Sequence, residues 1–202
     1  MLGLLIASQL VGARPIPNEM WFANIDPPSS VRESDDVVQT VTQTLVDKNG
    51  KVVGCRVEEK SKQPKADAFA CAAIIKLGKF RPGHWSDGTP VPSIFRYTFT
   101  FNADEDAKPT GDLELSVDRL PDGARSSVLL TLDYAADADG KISDCADAPQ
   151  PGLANTKADD PGLVTLACTQ LVKNWQPFTV LDEAGKPTRS VQNAYVVINK
   201  SR

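Results

Sequence analysis

The sequence predicts an α+β protein of two tandem β-β-α-β units, each a small antiparallel sheet covered by one helix. Three observations carry this. A nine-residue word occurs twice, DKNGKVVGC at 47–55 and DADGKISDC at 137–145. A helical pattern bearing a second cysteine follows each word. An aromatic-x-Pro phrase then ends each helix, Phe80-Arg81-Pro82 and Trp175-Gln176-Pro177.

Bulk properties narrow the function classes. The 202 residues are 41% hydrophobic and 24% charged, ordinary for a globular chain. A net charge of −4 argues against nucleic acid as a partner, which needs a basic face. The first residues are expected to be a leader rather than part of the fold. Leu2 to Val11 is an apolar run of signal-peptide length, and Val11 and Ala13 suit a cleavage site after Ala13. This sets a signal peptide at 1–13 and an exported mature chain without a membrane span.

The first unit occupies 14–102. VVQTVTQTLV (37–46) is rich in β-branched residues and reads as a strand. Asn49-Gly50 is a hairpin turn signal, since both residues tolerate the positive φ of tight turns. A second strand ends near Cys55. In ADAFACAAIIKLGKF (66–80), Ala66, Ala70, Ala73, Leu77 and Phe80 line one helical face. After the turn SDGTP (86–90), Phe95, Tyr97, Phe99 and Phe101 alternate along a long final strand.

An acidic, Pro- and Gly-bearing stretch within 103–112 has linker composition. The second unit, 113–202, opens with an extra strand, LELSVDRL (113–120). SSVLLTLDY (126–134) then alternates Val128, Leu130, Leu132 and Tyr134. Asp139-Gly140 repeats the turn. Asp160 and Pro161 begin a helix whose buried stripe is Val164, Ala167, Cys168, Leu171 and Trp175. EAGKP (183–187) and NAYVVIN (193–199) complete the copy. Gly140 follows Gly50, and Cys145 follows Cys55, by 90 residues, while Cys168 follows Cys71 by 97. The extra residues fall in the loop before the second helix.

Four cysteines allow three pairings. If each copy folds by itself, Cys55 bonds Cys71 and Cys145 bonds Cys168. The alternative is four buried thiols. No CxxC pair and a single histidine, His84, leave no zinc-ligand spacing.

These landmarks resemble the C-terminal domain of the TonB energy-transducer family, in its cysteine-bearing exported subgroup. The resemblance rests on WFANIDPPSSVRESDDVVQTVTQTLVDKNGKVVGCRVEEKS and DAFACAAIIKLGKFRPGHWSDGTPVPSIFRYTFTF. It covers 21–101 closely and 113–199 more loosely. It implies a periplasmic, non-enzymatic domain without cofactor or metal, which grips a segment of an outer-membrane protein by strand addition. The apolar start and short RPIP (14–17) are not the anchor and spacer of an energy transducer, so energy coupling is not implied.

On this reading the final strands, 93–101 and 191–199, are the receiving edges. Ile94, Arg96, Asn193, Tyr195 and Val197 are the partner-binding candidates, with Trp85 on a nearby loop. The alternative is a structural unit in which both edges pair with each other, and self-association fits either version. The acidic turn at 136–144 invites a calcium loop, but its twelfth position would be Ala146, so a hairpin turn is favoured. A hydrolase using His84 has no accompanying nucleophile context and ranks third.

Overall fold

The computed structural model describes residues 10–16, 26–102, 111–121, 126–148 and 160–201. In order these form β1 (Arg14–Pro15), α1 (Ser29–Arg32), β2 (Val38–Val46), β3 (Val52–Glu59), α2 (Pro64–Leu77), β4 (Phe80–Arg81), β5 (Gly83–His84), β6 (Pro90–Val91) and β7 (Ser93–Phe101). There follow β8 (Leu113–Val117), β9 (Ser127–Ala136), β10 (Ile142–Asp147), α3 (Pro161–Asn174), β11 (Val180–Leu181), β12 (Pro187–Thr188) and β13 (Ser190–Lys200). The fold is mixed α+β, with β2, β3, α2 and β7 answered in the same order by β9, β10, α3 and β13. Residues 1–9 of the expected leader, Trp21, 103–110 of the linker and the loop 149–159 lie outside the described residues.

Turn chemistry sets both hairpins. Gly50 and Gly140 adopt φ of +83° and +80°, and each donates its N–H to the carbonyl of the aspartate three residues before it. Asp47 Oδ1 also accepts from the Asn49 and Lys51 amides, at 2.8 and 2.9 Å. Pro64 and Pro161 occupy first-turn positions, where a missing N–H costs nothing. The Asp160 carboxylate caps α3 by accepting from Gly162 N at 2.9 Å.

Sheet pairing differs from the two separate small sheets that the sequence suggests. One seven-stranded sheet runs β10-β9-β13-β7-β2-β3, with β8 beside β13. The halves meet where β13 and β7 pair in parallel, Val191 with Ser93 and Gln192 with Ile94. The junction covers two residues of each strand, and β13 continues beside β8 from Val196 to Lys200.

Alternation along this seam sets the helices on opposite faces. Phe95 and Phe99 pack with Val46, Ala70, Ile74 and Phe80 beside α2. Ala194, Val196 and Ile198 pack with Leu130, Leu132, Ala167 and Leu171 beside α3. Odd residues of β7 share a face with odd residues of β13, so the two clusters lie on opposite sides of the sheet. One detail of the predicted stripe shifts: Ile74 is buried, whereas Leu77 is exposed in the last turn of α2.

The disulfides Cys55–Cys71 and Cys145–Cys168 tie β3 to α2 and β10 to α3. Closing loops of 16 and 23 residues stabilises the chain by roughly 3 kcal/mol each on chain-entropy grounds. Two disulfides fit an oxidising, export-type compartment. No helix among the described residues is long and apolar enough to cross a membrane.

Candidate strand-binding site

The candidate residues on the final strands lie inside the sheet. Ile94, Arg96, Asn193, Tyr195 and Val197 are all buried. Beyond Gln192 the two strands fork, and side chains seal the gap. Arg96 donates its backbone N–H to Asn193 Oδ1 at 2.6 Å, and Asn193 Nδ2 donates to the Arg96 carbonyl at 3.0 Å. The Tyr195 hydroxyl donates to the same carbonyl at 3.0 Å. Asp112 treats Tyr195 likewise, donating its N–H to the Tyr195 carbonyl at 2.7 Å and accepting the Tyr195 N–H at 2.8 Å. Val197 pairs with Leu129 of β9 and Glu114 of β8.

The Arg96 guanidinium crosses the sheet to Glu58 and Glu59 of β3, meets Asp112, and stands 5.7 Å from the Trp175 ring centroid. Arg56 lies 5.2 Å over Phe178 and donates to Gln43 Oε1 at 2.6 Å. Next to it, Trp175 Nε1 donates to the Tyr134 hydroxyl at 2.8 Å, which donates on to Gln192 Oε1 at 3.0 Å. Burial pushes the Tyr134 phenol far up, so it stays a neutral donor.

The outermost strands are blunted. The β2–β3 register slips between Val41 and Thr42 and again between Leu45 and Val46. The β9–β10 register slips between Ile142 and Asp144. Such bulges interrupt the regular row of backbone groups that an added strand needs.

A strand is received elsewhere. Residues 79–84, which leave α2 through the aromatic-x-Pro phrase, take residues 10–16 in antiparallel pairing. Arg14 opposes Arg81 and Pro15 opposes Phe80. Val11 N–H donates to the His84 carbonyl at 3.1 Å, and His84 N–H to the Val11 carbonyl at 2.8 Å. Ile16 N–H donates to the Lys79 carbonyl at 3.0 Å. Gly83 allows the close approach, since a Cβ there would stand 3.1 Å from the Val11 carbonyl oxygen and 2.1 Å from Ser93 Oγ.

The arm also reaches the other half of the sheet. Asp133 of β9, 1% exposed, accepts the Gly12 N–H at 2.7 Å and pairs with the Arg14 guanidinium. Its second oxygen has no hydrogen-bond partner. Burial raises the Asp133 pKa above the ordinary carboxylate value, while Arg14 and the Gly12 N–H oppose that rise. Leu10 packs with Val91, Ala135 and Val191, with Trp85 half-buried against them. Arg189 covers Trp85 at 4.4 Å from the ring centroid.

No family model, curated protein or solved structure matches this chain.

Trp85, expected on a loop near the final strands, packs half-buried beside the arm, and Asp133 and Gly12 are not among the residues the sequence singles out. The available signal was an acid within the continuous strand run SSVLLTLDY. Asp133 lies between Leu132 and Tyr134, which face α3, so it had to enter the opposite face. His84 contributes its backbone to the arm pairing. At the acidic turn, Asp137 Oδ1 accepts from Arg189 Nε at 3.0 Å and Ser143 Oγ at 3.2 Å. Asp139 pairs with Lys141 at 2.9 Å, which holds its carboxyl below the usual range.

Proposed function

We propose that this chain is a non-enzymatic protein-binding module of a bacterial periplasm, built from two tandem TonB C-terminal-like units, that captures an extended segment by strand addition. One observation carries the reading: the backbone edge at 79–84 already receives residues 10–16 as an antiparallel strand. Backbone pairing supplies affinity in this mode, and side-chain pockets supply selectivity. The receiving edge differs from the one that the resemblance implies, because β13 is flanked by β9, β7 and β8, and the Asn193 and Tyr195 side chains occupy the backbone of Arg96 on β7. Energy transduction is not part of the proposal.

A photoreactive side chain replacing exposed Arg81 tests the reading in living cells. Adducts with a second protein, absent when the label replaces exposed Thr100 of β7, are expected. Adducts confined to the chain's own residues 10–16 would overturn capture. A second reading, a structural envelope unit with its edges self-paired, is favoured by the β7–β13 junction itself. It predicts that confined result.

A further inference from the structure

The seated segment, Leu10-Val11-Gly12-Ala13-Arg14, meets a different requirement at each position. Leu10 is buried against Val91, Ala135, Val191 and Trp85. Val11 uses its backbone on His84 and leaves its side chain 39% exposed. Gly12 lies over Asp133 so closely that a Cβ would stand 2.5 Å from Asp133 Oδ1. Ala13 is buried among Val46, Phe80 and Phe95, so a larger side chain there would have to displace packed core residues. Arg14 supplies the charge that a buried carboxylate demands, since an unpaired one is strongly unfavourable.

The geometry points to a sequence-reading site. Residues 79–84, Trp85 and Asp133 accept an extended segment in trans with the order apolar, any residue, glycine, small residue, arginine. Residues 10–16 fill that site in cis as a competitor. This rests on the strand-capture reading and adds what the site reads. Asp133 is the reader: its Oδ2 takes both the Gly12 N–H and the Arg14 guanidinium, and its Oδ1 is buried without a partner. A tethered arm acts at an effective concentration on the order of millimolar, so a free segment enters only once the arm is displaced. Processing after Ala13, the position that the sequence singles out, would remove the Leu10 anchor and the Gly12 donor together.

The test uses the full chain carrying Gly12→Val, which ejects its own arm by steric conflict with Asp133. The probe is a fluorescent heptapeptide of wild-type sequence 10–16, followed by anisotropy. Two further peptides replace its glycine by valine or its arginine by glutamate. The variant chain is expected to bind the wild-type peptide at least tenfold more tightly than either altered peptide, and at least tenfold more tightly than the wild-type chain does. Equal binding of all three peptides would overturn sequence reading while leaving strand capture standing. No binding of any peptide, with amide exchange showing residues 79–84 freed, would overturn both. Intact disulfides and circular dichroism check folding, and Arg14→Glu in the full chain provides a second way to release the arm.

Discussion

Asn193 stands in for a peptide group opposite Arg96. Its amide accepts from the Arg96 N–H and donates to the Arg96 carbonyl, at 2.6 and 3.0 Å, where the two final strands part. Both residues are 2% exposed, so water does not satisfy these groups. Asn193→Leu leaves the Arg96 N–H buried without an acceptor and is expected to cost about 1–3 kcal/mol. Urea denaturation measures it. A loss within experimental error would show that the fork does not need this amide.

The two turn glycines give a matched comparison. Both have φ near +80°, yet a Cβ on Gly50 would stand 2.2 Å from the Phe80 carbonyl oxygen, and one on Gly140 would meet nothing within 4 Å. Gly140→Ala is expected to cost about 1–2 kcal/mol from backbone strain alone. Gly50→Ala adds overpacking of about 1–3 kcal/mol and moves the aromatic-x-Pro segment. Thermal melts of the two variants should rank in that order.

Cys145→Ser with Cys168→Ser removes the closure of 23 residues between β10 and α3. About 3 kcal/mol of stability should go with it, read as a lower denaturation midpoint under non-reducing conditions. Reducing agent should then have a smaller effect on this variant than on the wild-type chain, because only Cys55–Cys71 remains.

Asp133 gives stability a defined pH dependence. Its folded pKa is raised by burial, so the native chain binds more protons than the unfolded chain between the ordinary value of 3.8 and that raised value. The contribution of Asp133 is therefore fully present below 3.8 and is lost as the pH rises through the folded pKa. Denaturation midpoints of the wild-type chain and Asp133→Asn across this window should differ in favour of wild type as the pH falls. A constant difference would mean that Asp133 is not perturbed.

The parts legible in sequence were those fixed by local chemistry. Asp-x-x-Gly turns, the proline starts of α2 and α3 and the period-two strands all follow from residues a few positions apart. The disulfide pairing followed once the repeat was recognised, because each cysteine pair lies within one copy. The junction was not legible. Strand pairing between Ser93 and Val191 depends on which edges find each other: Phe95, Tyr97, Phe99 and Phe101 alternate, while Ala194 to Ile198 is a continuous apolar run, and neither pattern names its neighbour. Residues 10–13 were hidden for another reason: small and apolar residues serve a leader and a buried arm equally. Ile74 and Leu77 lie three positions apart on α2, close enough in angle that periodicity alone does not decide which of them is buried.

Residue-resolved amide exchange on the full chain tests the central claim, that the receiving edge is 79–84 and not the final strands. The Arg96 and Tyr195 amides are expected to exchange only with global unfolding. The Val11, Ile16 and His84 amides should exchange faster, through release of the arm alone. Arg96 and Tyr195 exchanging as rapidly as loop amides, or the arm amides exchanging as slowly as Arg96, would contradict it.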